Sequence, residues 1–575
     1  MTLLFTGLGY LYTHILPFIL LLGLLVFVHE LGHFVVARMC GVRVEVFSLG
    51  FGKKLLSWKK GDTTYCISLI PLGGFVKMFG EQGSENIITD ADRKVAFSHK
   101  TPWQRIAIVL AGPFMNFFFA VLVFATIAQV GEQTRAAIVA GVVADSPAVK
   151  YGFKAGDQIL KVENEIVRSY EDFQKQLNKN KNRTISLDVR DGAGQTRQIS
   201  ASVGATDNPN IFSLEKQIGR IEGLESVAIN ATVAVIIDSP AYKAGLRTGD
   251  EVTSFNGQKI SNLAAFESAL QNAMNDINSP ATEYAIGVMR PLQENGSTAE
   301  STLNSDNSPE ATKLALTLTK KDLIKSKILQ NFGFDKTELY LGQVVKGSPA
   351  DMAELQAYDR IISINAKPIL KWEDIASTVK AYDGREALTF VVLREGTELI
   401  KKITPKVTEL TTAFGAIDKR FTVGVSPLIV LAEPDIIIVK ADNPVQALIK
   451  GTERTIDISI MTVMSFVKLF QGEVSPKNLG GMVSIGKAAK DSFELGAQAF
   501  FMTMGILSVS LFILNLMPIP VLDGGHLVFY TIELIKGSPI SLRKMEIAQQ
   551  VGLVLLLGLM VLAQYNDIVK FLFKS

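Results

Sequence analysis

Cysteine is nearly absent: Cys40 and Cys66 are the only two in the chain, so no disulfide framework organises the fold. A dominant charge is missing as well. Fifty-eight basic residues face 56 acidic ones, a formal net charge of +2, which removes the global field that a nucleic-acid partner would need. Histidine is scarce, with five in the whole chain, so a metal site built on imidazole has few residues to draw on. Lysine and arginine do not occur before Arg38, and no small-residue cleavage site follows the first apolar run. The N-terminal stretch therefore reads as a retained membrane span and not a cleaved signal.

What is present is apolar. Hydrophobic residues make up 48% of the chain and the mean hydropathy is +0.26, yet 20% of residues are charged. That mixture predicts membrane spans joined to soluble domains. Four spans are expected, at about 14–38, 106–130, 500–521 and 548–563, each long enough or nearly so for a hydrocarbon core of ~30 Å. Basic residues cluster from Arg38 to Arg105 and again at Lys536, Arg543 and Lys544. The positive-inside rule puts those segments in the cytoplasm, where the two cysteines stay reduced, and both termini outside. Between the first two spans, Val44 to Phe51 and Thr63 to Ile70 read as a hairpin around Lys59 to Asp62. Residues 443–472 read as an amphipathic helix lying at the membrane surface.

The first span contains Phe27-Val28-His29-Glu30-Leu31-Gly32-His33. On a helix His29 and His33 stand one turn apart on one face, with Glu30 roughly 100° round. Two imidazoles can then hold one zinc ion while the carboxylate takes a proton from a water beside it. Ionisable groups in a membrane span are costly and mark function; a purely structural role would require a polar partner for each of the three. Zinc needs one more protein ligand and an open position. His14 lies about 22 Å up the same helix at ~1.5 Å per residue, and His99 sits in a polar stretch. That leaves His526 or a carboxylate. Asp523 follows the Pro518-x-Pro520 break of the third span at the expected depth of His29 and His33, and topology favours it as ligand over helix cap.

Residues 132–442 contain an internal repeat. Ser146-Pro147-Ala148, Ser239-Pro240-Ala241 and Ser348-Pro349-Ala350 are each followed by an aspartate, Asp157, Asp250 and Asp359. After each come an apolar strand, a turn (Glu163-Asn164, Asn256-Gly257, Asn365-Ala366) and a helical stretch (169–178, 261–272, 371–381). Gly156 and Gly249 precede the first two aspartates, whereas Tyr358 precedes the third. Residues 276–313 read as a linker. The unit resembles a circularly permuted PDZ domain, whose general task is to take an extended peptide by strand addition.

The His29-Glu30-Leu31-Gly32-His33 motif, together with Asn515-x-x-Pro518-x-Pro520-x-Leu522-Asp523-Gly524, resembles the site-2 protease family of intramembrane metalloproteases. Phe47-Ser48-Leu49-Gly50-Phe51-Gly52, Pro71-Leu72-Gly73-Gly74-Phe75-Val76-Lys77, and Ala111-Gly112-Pro113 with Asn116 are similar to its bacterial branch. Such proteins commonly carry two PDZ domains, and three repeats are counted here. The resemblance implies a polytopic α-helical membrane protein with four transmembrane helices, a membrane-associated β-hairpin and periplasmic α+β PDZ-like domains. The expected divisions are 1–130, 131–220, 221–320, 321–410, 411–495 and 496–575, with the helices at both ends and the repeats and a connector between. It implies one Zn2+ per chain on His29, His33 and Asp523, Glu30 as the proton-transferring residue, and help from Asn515. Gly73, Gly74, Phe75, Asn116, Pro518 and Pro520 are expected at the substrate, with the hairpin at 43–80 holding it as a strand. The partner implied is a single-pass transmembrane protein in the bacterial inner membrane, an anti-sigma factor already trimmed outside, with remnant signal peptides as further substrates. The repeats would act as a size filter. A cation transporter would also place His and Asp in the bilayer, but gives no reason for Glu30 or for peptide-binding repeats. A silent scaffold would have no use for Glu30.

Overall fold

The computed structural model describes residues 13, 15–81, 89–143, 145–275, 283–291, 312–317, 332–411, 417–538 and 540–572. His14 and most of the 276–313 stretch lie outside them. The helical part consists of α1 (Leu16–Met39), α2 (Pro102–Val130), α3 (Pro444–Phe470), α4 (Met482–Glu494), α5 (Ala497–Leu516), α6 (Asp523–Lys536) and α7 (Leu542–Leu572). Of these, α1, α2, α5 and α7 are long and apolar enough to cross a membrane.

Local chemistry sets the helix ends. Thr101 accepts from the Gln104 N–H while Gln104 reaches back, a capping box that starts α2 earlier than expected, with Pro102 in its first turn. The third span stops at Leu516, short of the predicted 521, because Pro518 and Pro520 carry no N–H and Met517 is held extended at ψ 144°. Asp523 then opens α6; Gly524 and Gly525 lie inside it against the backbone of Met517 and Ile519. On α3, Ala447, Gly451 and Thr455 are buried. The absence of a side chain at Gly451 lets the helix press on Val121 and Ala125 of α2, and Arg454 pairs with Glu132. The start of α4 has no cap of its own: Asp567, buried on α7, accepts from Ser484 N at 2.9 Å.

The hairpin is more elaborate than two short strands. β1 (Val44–Lys60) and β2 (Thr63–Met78) are each long enough to fold back, β1 bending at Gly50 and Gly52, both at φ +85°. Phe47, Ser48 and Leu49 face Val76, Phe75 and Gly74 on one side and Tyr65, Cys66 and Ile67 on the other. The Gly74–Met78 stretch is thus an edge. Val44, Phe47, Val76 and Met78 bury their side chains with Ala37, Phe97, Ile108 and Val109, which fixes the sheet to α1 and α2.

Three further units each own a core, for example Ile159, Val162, Phe173 and Leu187, then Val252, Phe255, Phe266 and Ile286, then Ile361, Ile364, Ile375 and Phe390. Their helices are Tyr170–Lys179, Leu263–Asn275 and Trp372–Lys380, close to the predicted stretches. Asp157, Asp250 and Asp359 are buried, with side chains 1% exposed. Each pairs with an arginine, Arg197 at 2.5 Å, Arg290 at 2.7 Å and Arg394 at 2.7 Å, and each accepts a backbone N–H, from Lys154, Arg247 and Gln356. They close the unit's own loop.

Tyr358 adopts φ +70°, the left-handed backbone that Gly156 and Gly249 adopt in the other units. A non-glycine residue there costs ~1–2 kcal/mol; in return the Tyr358 ring lies against Gly249 of the second unit. The same junction pairs Ala234 with Asp335 and Val235 with Phe334, and Arg360 reaches Asp335 at 2.5 Å. Burial, and then the Asp335 carboxylate, push the Tyr340 hydroxyl well above the usual phenol range. It therefore stays a donor to Asp335, at 3.3 Å.

Candidate metal centre

His29 and His33 project from one face of α1 as their spacing requires, and α6 delivers Asp523 to them. His29 Nε2 is 3.1 Å from Asp523 Oδ2, His33 Nε2 is 3.6 Å from the same oxygen, and the two Nε2 atoms are 3.2 Å apart. Ligands of tetrahedral zinc, at bond lengths of 2.0–2.1 Å, stand about 3.3 Å from one another. Asp523 Oδ2 is sealed from solvent and has no hydrogen-bond donor. A carboxylate oxygen left in that state is costly, and a cation between the three atoms satisfies it. The donor set, two imidazoles and a carboxylate, suits zinc, and among the described residues it is the one group of this kind that converges.

The imidazoles are held from behind. His33 Nδ1 donates to the Ile108 carbonyl at 2.9 Å, which leaves Nε2 as the lone-pair nitrogen facing Asp523. The ring lies flat enough on α2 only because residue 112 is glycine; a Cβ there would enter the imidazole, and one on Gly32 would strike the Ala111 carbonyl. His29 has Asn116 at its back, with the amide nitrogen 3.4 Å from Nδ1. Asn116 is fully buried and its Oδ1 lacks a partner. Exchanging the two ends of the amide sets that oxygen against His29 Nδ1–H and removes the orphan. Asn116, expected at the substrate, thus stands behind His29.

Glu30 does not join the ligand triangle. It lies beside the open edge of the sheet, near the Val76 backbone, and its Cγ approaches Gly74 closely enough that a side chain on residue 74 would crowd it. Gly73 sits at φ +127° under the Phe51 ring, which stacks on Phe75 at 6.1 Å. Asn515 is in the last turn of α5, and its side chain makes no hydrogen bond among the described residues. Pro518 is exposed, while Pro520 packs between Gly525 and Gly552. Of the passed-over histidines, His526 stacks on Tyr530 at 6.3 Å and His99 is exposed beside Ser98.

The profile of peptidase family M50 matches residues 17–559. The chain belongs to peptidase family M50. It is an intramembrane metalloprotease of the site-2 type, as the paired motifs implied. A zinc metalloprotease of Neisseria meningitidis serogroup A is 30% identical over 97% of this chain and 99% of its own length. The regulator of sigma-E protease RseP of Escherichia coli K12 is 29% identical over 96% and 97%. The regulator of sigma E protease of Haemophilus influenzae is 29% identical over 96% and 98%. Among solved structures, a PDZ domain protein from Parabacteroides distasonis aligns with 50% of this chain and 95% of its own at 12% identity and a TM-score of 0.12, which carries no argument. Two elements of this M50 centre escaped the sequence reading. The Ile108 carbonyl is backbone and leaves no residue signature. Asn116 was expected at the substrate, and the packing of α2 on α1 sets it behind His29 instead.

Proposed function

We propose that this M50 protease hydrolyses a peptide bond within the membrane segment of single-pass proteins, with one zinc ion on His29, His33 and Asp523. The observation that carries the reading is the meeting of those three ligands beside Glu30 and a free sheet edge. Zinc, when bound, supplies Lewis-acid activation of water and of the scissile carbonyl. Glu30 takes the water proton and returns it to the leaving amine. Asn515, at the end of α5, assists at the developing oxyanion. A helical substrate must unwind first, since its peptide bonds are shielded by their own hydrogen bonds. The Gly74–Met78 edge then takes it as an added strand and compensates those bonds.

A cavity of about 650 Å³ lined by Ile19, Gly23, Phe27, Gly73, Phe500 and Met504 leads from the flank of α1 and α5 to the sheet. It is apolar, as a route for a lipid-embedded segment must be. The substrate class is an anti-sigma factor already trimmed outside the membrane, with remnant signal peptides as a second class. The three repeats, read as periplasmic PDZ-like domains, exclude proteins with bulky external domains. The enzyme is placed in the bacterial inner membrane with its centre near the cytoplasmic side. Purified protein in detergent, given a reporter transmembrane substrate, tests the chemistry: Glu30→Gln lowers cleavage by roughly 10²–10⁴-fold and Asp523→Ala abolishes it. Normal cleavage by both variants ends the proteolytic reading.

A further inference from the structure

The Pro518–Pro520 break raises a mechanical question. It interrupts the chain between α5 and α6, so α5 does not dictate the direction of the helix that carries Asp523. The packing of Gly524 and Gly525 on Met517 and Ile519 fixes where α6 starts, and a second anchor is needed to fix its direction.

The far end of α6 is pinned. Glu533, in its last turns, receives Arg105 from the first turns of α2, Nη2 to Oε1 at 2.6 Å, with side chains only 12% and 14% exposed. No other Lys/Arg–Asp/Glu pair among the described residues has both side chains so covered. The guanidinium is itself oriented: Nε donates to the Lys100 carbonyl at 3.2 Å, and the group lies 4.8 Å from the centre of the Tyr530 ring, also on α6. Tyr530 in turn meets Phe97 edge-on at 6.2 Å. α6 is therefore attached to α2 by a charge and a ring at the end opposite its metal ligand.

We infer that Arg105 and Glu533 are positioning residues that aim Asp523 at the two histidines. α2 is the common reference: it holds α1 through Gly112, Ile108 and Asn116, and it holds α6 through Arg105. The ligand triangle is the product of two joints on one helix. Asp523 and Glu533 are separated by ~15 Å of helix at ~1.5 Å per residue. A tilt of roughly 4° about the pinned end then displaces Asp523 by about 1 Å, half a zinc–ligand bond. An apolar contact fixes separation but not direction; a buried guanidinium–carboxylate pair fixes both.

The inference rests on the zinc reading above, and its test separates the two. Metal-free protein in detergent is titrated with zinc against a chromophoric chelator. Glu533→Gln and Arg105→Gln each weaken zinc binding by about 10–100-fold, the range for groups that orient ligands, with far-UV circular dichroism unchanged. The pair Arg105→Met with Glu533→Leu leaves no uncompensated buried charge, so it folds even where a single variant does not, and it still binds zinc at least about tenfold more weakly. Wild-type zinc affinity in the folded double variant overturns the inference. His29→Ala is the control. If it loses zinc while the Arg105 and Glu533 variants keep it, only the positioning role falls; if it keeps zinc, the metal reading falls and takes the positioning role with it.

Discussion

Buried carboxylates occur in both halves of the molecule, and they are treated in opposite ways. Asp157, Asp250 and Asp359 in the repeats are each met by an arginine and a backbone N–H. Asp523 in the helical part has an oxygen equally cut off from water, faces two imidazole nitrogens and receives no hydrogen bond. Sequence makes all four look alike, an aspartate at a recurring or motif-bound position. Satisfaction distinguishes them: a carboxylate whose lone pairs are filled by its own chain closes a loop, and one left open has room to accept a cation.

That contrast is most sharply broken at the metal centre. Glu30→Gln keeps the ligand triangle and so binds zinc normally, while cleavage falls by roughly 10²–10⁴-fold, the contribution of a positioned proton-transfer group; chelator titration and substrate turnover read the two separately. Asp523→Ala loses zinc as well as turnover. Because it removes an unsatisfied carboxylate, the metal-free variant unfolds at a temperature no lower than the metal-free wild type. Asn116→Ala, which deletes the group behind His29, weakens zinc by about 10–100-fold. The repeats should behave in the reverse sense. Asp250→Asn costs about 1–3 kcal/mol in the second unit, seen as earlier proteolysis or unfolding there, and leaves zinc affinity untouched. Loss of zinc affinity in that variant, or loss of metal-free stability in Asp523→Ala, would erase the distinction.

Much of the centre was legible because its information is local. Two histidines four residues apart on an apolar helix define a face, and the short histidine inventory narrowed the third ligand. The spans were legible from length and hydropathy. What escaped depends on contacts between distant segments. Nothing local says that Gly524 and Gly525 open a helix; their lack of side chains lets α6 start tight against Met517 and Ile519. The hairpin read as two short strands, since nothing local says that β1 turns at Gly50 and Gly52 and doubles the sheet. The three aspartates marked the repeat, but their arginine partners lie beyond the window in which a motif is seen. Tyr358 read as a departure from the pattern; it keeps the same left-handed backbone and spends its ring on the neighbouring unit.

The three converging groups come from widely separated parts of the polypeptide: two histidines from α1 and an aspartate from α6. During synthesis the imidazoles enter the bilayer early, and the whole of the repeat region is made before their third partner leaves the ribosome. A truncated or half-translated product therefore carries the metal motif without the means to close it. The triangle can close only after the chain has been made through Asp523, so the order of synthesis delays it until the repeats are complete.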